Sequence, residues 1–268
     1  MNNDIFGIVM EYCNKRNIKN ISVISSRLRC VVISSNHYVL NTLKIKNITK
    51  VNTYQYKHIL LNNVDICRYY KNVTHLTFTD DFNDCVDNLP ERILYIKFGK
   101  RFNKSINKLP ANLRCLKLGQ KFNQPINLSK LSKLQTLCFG FEFDQYINNL
   151  PTSITYLSFG GEFNKPVNEM HKLDNLKYLS FGYCFNNYYV DNLPVSLRFL
   201  KFGLRFNMPI KNLPDGITHI YFGNCFNQSI DFLPDSVQYI YLGFWFDRTI
   251  NKYPKNIKIV YKCDTIIV

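Results

Sequence analysis

The sequence predicts an α/β repeat solenoid, with short parallel strands stacked behind a small helical N-terminal cap. Two observations predict it. From Val73 onward, an apolar pattern returns about every 20 residues, whereas residues 1–72 lack this repeat and begin with apolar residues at helical spacing. The units begin at Val73, Ile93, Leu113, Leu134, Ile154, Leu176, Leu197, Ile217 and Val237, and a broken last unit begins at Ile257.

Several positions of the repeating unit hardly vary. Position 4 is aliphatic, position 6 is Phe or Leu, and position 10 is Phe in every unit from Phe82 to Phe246. Position 7 is Gly except at Thr79, position 11 is Asn or Asp, and a Leu-Pro pair such as Leu89–Pro90 closes most units. A pattern this regular specifies one supersecondary unit that is repeated along the chain.

The pattern also predicts the path of the chain through one unit. Alternation around position 4 indicates a short strand with positions 4 and 6 inward and positions 3 and 5 outward. Glycine at position 7 would end the strand through its conformational freedom. About 20 residues cannot hold a strand and a full helix, so we expect an irregular or 3₁₀ return side that carries the insertions at 131–133, 169–175 and 186–190. Stacked units should form one parallel sheet on a concave face.

These units resemble the FNIP repeat, a short relative of the leucine-rich repeat that is abundant in social amoebae and giant DNA viruses. The Gly-x-x-Phe-Asn-x-x-Ile cores carry the resemblance, as in Gly99–Ile106, Gly119–Ile126 and Gly203–Ile210, together with the trailing Leu-Pro pairs. The resemblance implies a leucine-rich-repeat-like array over residues 73–268, preceded by degenerate connecting repeats at 40–72.

Residues 1–39 have a different pattern, with two apolar stripes that predict a pair of short helices. The stretches Asp4–Tyr12 and Ile18–Arg29 resemble an F-box, although the opening Leu-Pro pair and the third helix of that family are not evident. The resemblance implies docking to the Skp-type subunit of a cullin–RING ubiquitin ligase. Helices that only cap the first repeat are the alternative. The implied docking residues are Ile5, Ile8, Val9, Ile21, Val23 and Leu28.

Composition and motifs point away from catalysis. The net charge is +15, and the nine cysteines include no CxxC pair, so free thiols in a reducing compartment are expected. No phosphate loop, HExxH or GxSxG motif occurs, and no apolar run is long enough to span a bilayer. We therefore expect no enzyme, no cofactor, no metal and no membrane span, and a cytoplasmic location, that of the host if the chain is viral.

Aromatic residues dominate positions 3 and 5 in the C-terminal half of the array. Tyr is typical of protein-recognition surfaces, which favours a protein-binding face. Cross-strand pairing that only stabilises the sheet is the alternative. Nucleic-acid binding is a weaker hypothesis, because Glu142 and Glu162 would interrupt the basic patch of Lys97, Lys117, Lys201, Arg101 and Arg205. The predicted binding residues are Tyr156, Tyr178, Phe199, His219, Tyr221, Tyr239 and Tyr241.

Together these features predict a non-enzymatic protein-interaction module. The F-box resemblance narrows it to a substrate-recognition adaptor of a cullin–RING ubiquitin ligase, with a Skp-type subunit and a target protein as partners. A binding scaffold whose helical cap is purely structural is the other hypothesis. The two differ in whether residues 1–39 contact another protein.

Overall fold

The computed structural model describes residues 30–33, 37–41, 58–61, 72–187, 190, 192–247 and 257–261. These residues form one 13-stranded sheet in which the strands lie in chain order. One 3₁₀ turn, Met170–Lys172, is the only helical element among them. The strands are β1 (Cys30–Ile33), β2 (His37–Asn41), β3 (His58–Leu61), β4 (His75–Phe78), β5 (Tyr95–Lys97), β6 (Cys115–Lys117), β7 (Thr136–Cys138), β8 (Tyr156–Ser158), β9 (Tyr178–Ser180), β10 (Phe199–Lys201), β11 (His219–Tyr221), β12 (Tyr239–Leu242) and β13 (Lys258–Tyr261).

The strands keep the register that the repeat predicts. From β2 to β13 every neighbouring pair is parallel, and residues at the same position of the unit lie opposite each other, as Leu76 lies opposite Ile96. Burial alternates along each strand, with position 4 buried and position 3 partly exposed in most strands. The predicted leucine-rich-repeat-like solenoid with one parallel sheet is therefore confirmed.

The N-terminal end of the sheet differs from the prediction. Cys30–Ile33 and His37–Asn41 form an antiparallel strand pair, although the first strand and the start of the second lie in the segment predicted as helical up to residue 39. Leu40 lies opposite Ile59 and so occupies position 4 of a unit that precedes the regular array. The described residues give no support for a helical cap or for the α component of the fold class. The two predicted helices fall on residues 1–29, outside the described part.

The last strand is also displaced by one residue from its expected place. Ile259 lies opposite Ile240, so position 1 of this unit falls at residue 256 and not at Ile257. The shift keeps an aliphatic residue in the buried column and places Lys258 at position 3. Burial of the apolar side chain thus decides the register where the repeat length changes.

Two columns of phenylalanine fill the core. The position 10 rings are stacked along the solenoid, and the ring centroids of Phe102 and Phe122 are 6.1 Å apart. Position 6 rings fill the space beside them, as Phe98 does at 3.7 Å from the Phe102 centroid. The Phe102 and Phe122 side chains are fully buried. The predicted phenylalanine column is confirmed, and stacked aromatic pairs of this kind add to the free energy gained from burial.

The glycine column has a different cause from the one predicted. None of the described glycines has a positive φ, so conformational freedom is not what the position requires. A Cβ on Gly160 would instead lie 1.6 Å from the carbonyl oxygen of Gly140, and a Cβ on Gly140 would lie 1.7 Å from that of Gly119. Each glycine lets its backbone touch the carbonyl of the previous unit. Thr79 begins the column, and its carbonyl oxygen lies beneath Gly99.

The Asn/Asp column links successive units by hydrogen bonds. The Oδ1 atom of each residue accepts a hydrogen bond from the backbone N–H of position 11 in the next unit, as Asn103 does from Asn123 at 3.0 Å. Asp144 accepts from Asn164 at 2.9 Å, so aspartate serves the same purpose. The column runs unbroken from Asn83 to Asp247. Each side chain therefore satisfies a backbone donor of the following unit, and the column joins successive units.

The return side is irregular, as predicted. The 3₁₀ turn lies within the insertion at 169–175 and directs Met170 into the core, where its side chain is buried. Leu131, in another insertion, is buried as well. The insertions therefore extend the core on the return side and leave the spacing of the strands unchanged.

We predict that Gly160→Ala destabilises the fold by at least about 3 kcal/mol, because its Cβ would overlap a backbone carbonyl that cannot move without separating two units. Gly161→Ala is the matched control. Its Cβ meets only the side chain of Phe141, which is half exposed and can rotate away. Urea unfolding of both variants measures the difference, and equal losses would contradict the steric role of position 7.

We predict that Asn207→Ala costs about 1–3 kcal/mol, because its Oδ1 accepts from the Asn227 N–H at 2.8 Å and from Gln228 Nε2 at 3.1 Å. Asn207→Asp keeps an acceptor oxygen and should stay within about 1 kcal/mol of the parent. Thermal unfolding of the two variants tests this, and an aspartate variant as unstable as the alanine variant would show that the acceptor is not what matters.

Candidate protein-interaction face

The sheet has one face that does not contact the core. Positions 3 and 5 of each strand project from it, and we call it the open sheet face; it is the face that the sequence predicts to be concave. Most of its side chains are partly exposed, and only Thr136 and Ser180 among the strand residues are buried polar side chains. No core contact restrains these positions, so their chemistry is free to serve recognition.

All seven predicted binding residues come together on this face. At position 3, Tyr156 stacks on Tyr178 with the ring centroids 4.2 Å apart, and Tyr178 stacks on Phe199 at 4.4 Å. The column continues through His219, which lies 6.2 Å from Phe199 and 4.7 Å from Tyr239. Because the strands are in register, identical positions approach closely enough for their rings to stack.

A shorter column at position 5 joins the first. The centroids of Tyr221 and Tyr241 are 3.8 Å apart with the ring planes nearly parallel, and Tyr221 also lies 4.8 Å from Phe199. We call the two columns together the aromatic stripe. Its rings cover each other's faces along the solenoid, so ring edges and polar tips remain for a partner.

Burial changes the acid–base behaviour of the stripe. Desolvation raises the pKa of the Tyr156 and Tyr178 hydroxyls, and the hydrogen bond between them adds to the increase at Tyr156. Desolvation, followed by the hydrogen bond to Tyr241, raises the pKa of Tyr221 as well. These phenols are therefore protonated at every physiological pH and can donate hydrogen bonds.

A second group of rings lies at the other end of the face and was missed as a group from the sequence. His75 stacks on Tyr95 at 5.4 Å, and His58 lies 5.8 Å from His75. The Lys117 Nζ atom lies 5.8 Å from the centroid of the Tyr95 ring. The β3 histidine could have been recognised by extending the position 3 column one unit before Val73.

Exposed aromatic residues also follow the strands at positions 8 and 9. Phe244 and Trp245 are 59% and 62% exposed, and Phe141 and Tyr183 are about half exposed. The guanidinium of Arg205 lies 5.2 Å from the centroid of the Tyr183 ring. The residue type at position 8 varies from Asp80 to these aromatic residues, so the sequence at this position alone does not predict a binding surface.

A groove of about 500 Å³ lies where strands β9 to β13 end. Lys201, Tyr221 and Tyr241 line it from the open sheet face, and Tyr183 and Leu204 line it from the loops that follow. The backbone of Gly182, Gly203 and Gly223 also lines it. Its size is typical of pockets that hold a small ligand or a few side chains.

The open sheet face is basic. In β3–β13, no Asp or Glu stands at position 3 or 5, whereas Lys97, Lys117, Lys201 and Lys258 do. Glu142 and Glu162, which were expected to interrupt a basic patch, stand at position 9, beyond the ends of the strands. They share position 9 with Arg101 and Arg205, so they interrupt the arginines of the predicted patch and not the lysines of the open sheet face.

Cysteines and possible metal ligands add no second site to the face. Cys115 and Cys138 lie diagonally opposite in β6 and β7, and neither is part of a disulfide. Desolvation raises the pKa of the Cys138 thiol to about 11, with a smaller opposing effect from Lys117. In the described part of the chain, no group of His, Cys, Asp and Glu could hold a metal ion. The six docking residues from Ile5 to Leu28 lie outside the described residues.

The fold and the open sheet face define a repeat protein of the leucine-rich-repeat-like class. The FNIP Repeat profile matches residues 206–244, so the chain contains an FNIP repeat at this place. None of the curated proteins matches the chain significantly. None of the described helical segments is long and apolar enough to cross a membrane.

Two solved structures are similar to the chain. CroV588, a circular leucine-rich-repeat protein, is 34% identical over 78% of this chain, with a TM-score of 0.64. The matched part makes up 32% of CroV588, so the chain spans about a third of that protein. The internalin InlF of Listeria monocytogenes strain 4b F2365 is 13% identical, with 85% of this chain and 88% of the internalin covered and a TM-score of 0.45.

We predict that Cys138 resists alkylation at pH 8 while Cys85, which is exposed, reacts readily. With a pKa of about 11, only about one Cys138 in a thousand is a thiolate at that pH, and the thiolate is the reactive form. Timed iodoacetamide labelling with peptide mass spectrometry measures both rates. The rate at Cys138 should still increase between pH 8 and pH 10, and equal rates for the two thiols at pH 8 would contradict the prediction.

Proposed function

We propose that this chain is a non-enzymatic protein-interaction module that binds a partner protein on its open sheet face. The observation that carries the proposal is the aromatic stripe, in which seven ring residues form one continuous, partly exposed surface on five neighbouring strands. Tyrosine-rich surfaces with a rigid arrangement are typical of protein recognition. The leucine-rich-repeat-like fold of the chain also supports binding of a partner protein on the open sheet face.

Stabilisation of the sheet alone explains the aromatic stripe less well than protein recognition does. The core already contains two phenylalanine columns that bury all their rings, and polar residues such as Ser158 and Thr77 occupy the same outer positions in other units. The fold therefore accepts non-aromatic residues at position 5. Rings concentrated in the C-terminal units, beside the groove and the exposed Trp245, favour a contact surface.

Within this function, we propose the role of a substrate-recognition adaptor in a cullin–RING ubiquitin ligase. The support is the F-box resemblance of Asp4–Tyr12 and Ile18–Arg29, which would attach the array to a Skp-type subunit while the open sheet face holds a target. A scaffold that binds its partner without such a subunit remains the second candidate. The described sheet ends in the antiparallel pair β1–β2, which covers the edge of the parallel array, as a structural cap would.

We predict that the purified full chain and a purified Skp-type subunit elute as one complex in size-exclusion chromatography. Ile8→Asp combined with Val9→Asp should abolish the complex, because charges would replace two implied docking side chains. Phe199→Ala, on the open sheet face, is the control that should leave this complex intact. Circular dichroism of the double variant checks that the solenoid is still folded.

The outcomes separate the two candidates. A chain that stays separate from the Skp-type subunit would refute the adaptor role and leave the scaffold. A complex that survives the double substitution would place the contact elsewhere, and the F-box resemblance would then be wrong as an account of docking.

A further inference from the structure

We propose that the open sheet face recognises an acidic polypeptide segment, seated in the groove at the ends of β9 to β13. The inference rests on the proposed protein-interaction function and names the chemical class of the partner. Charge, ring geometry and the groove support it independently.

Charge is the first support. In β3–β13, positions 3 and 5 carry four lysines and no carboxylate, so the open sheet face would repel a basic partner and attract an acidic one. The residue before the strand adds exposed Arg114, Lys177 and Arg198 beside the same face. Complementary charge of this kind speeds association and selects among partners.

The tyrosines are the second support. Their ring faces are covered by neighbouring rings at centroid distances of 4.2 Å for Tyr156 and Tyr178 and 3.8 Å for Tyr221 and Tyr241. What remains accessible is the ring edge, which carries partial positive charge, and the protonated hydroxyl. Carboxylate oxygens are suitable acceptors for the ring edge and for the hydroxyl proton that the hydrogen bond within each tyrosine pair does not use.

The same geometry disfavours a nucleic acid. Proteins that bind single strands without reading the sequence stack bases on open aromatic faces. In the aromatic stripe the faces inside each stacked pair are closed, with the planes of Tyr156 and Tyr178 only 6° apart and those of Tyr221 and Tyr241 also 6° apart. Phosphates could still contact the lysines, but bases could stack only on rings outside these pairs.

The groove is the third support, and it is where the acidic segment would bind. Among the described residues that line it, Lys201 is the only charged one, while Tyr183, Leu204 and Val260 provide apolar surface. Arg205, which lies over the Tyr183 ring, adds a second cation at its edge. A segment that alternates acidic and apolar residues would satisfy both kinds of surface.

The test is fluorescence anisotropy with the full chain and three labelled probes. The first is a peptide of repeated Asp-Glu-Leu, the second the isosteric peptide of repeated Asn-Gln-Leu, and the third single-stranded oligo-dT. The acidic peptide should bind at least about tenfold more tightly than the neutral peptide and more tightly than oligo-dT. Equal binding of the two peptides, or preferential binding of oligo-dT, would overturn the proposal.

Matched variants locate the site. Lys201→Gln with Arg205→Gln removes the two charges at the groove and should weaken binding of the acidic peptide about tenfold. Lys104→Gln with Lys130→Gln removes two exposed charges at positions 12 and 18 and should change it less than twofold. Equal loss in both double variants would mean that net charge alone attracts the peptide, and the proposed site would be wrong.

These results are independent of the Skp-type complex. A chain that fails to bind the Skp-type subunit but selects the acidic peptide through Lys201 and Arg205 would lose the adaptor role and keep this inference. A chain that forms the Skp-type complex but shows no preference for the acidic peptide would keep the adaptor role and lose this inference.

Discussion

The close approach of successive units at position 7 is the constraint on which the rest of the structure depends. Only a residue without a Cβ lets one backbone lie against the carbonyl oxygen of the unit before it, as Gly160 does against Gly140. This approach comes directly after each strand, so it holds neighbouring strands in register at their ends. The phenylalanine, asparagine and outer aromatic columns all need that register, because each joins residues at the same position of successive units.

One register therefore produces columns with different tasks. Inside, Phe102 and Phe122 are buried and contribute to stability, and along the turn the asparagine side chains satisfy backbone N–H groups of the next unit. Outside, the same spacing stacks Tyr221 on Tyr241. Stabilisation and recognition are compatible there, because stacking fixes the rings and a fixed surface loses less conformational entropy when a partner binds.

The sequence predicted most of the fold because burial repeats with the same period as the chain. The phenylalanine column, the strand positions and the irregular return side all follow from that period. The reason for glycine could not be predicted, since a Gly at a strand end is equally compatible with a positive φ and with close packing. Leu40 and Ile259 show a second limit, which concerns strand register outside the regular array. There the register is set by pairing, of Leu40 with Ile59 and of Ile259 with Ile240, and it cannot be found by counting residues along the chain.

The sequence predicted the residues of the candidate site, but it predicted only part of their chemistry. The seven ring residues were found because position 3 and position 5 alternate with buried positions along each strand. The closed ring faces, the groove and the place of Glu142 beyond the strand ends depend on distances between units, which a periodic pattern does not contain. Those distances change the interpretation of the positive charge. Lysines beside protonated phenols and closed rings form a surface for carboxylates, whereas the same residues with open rings would have suited nucleobases.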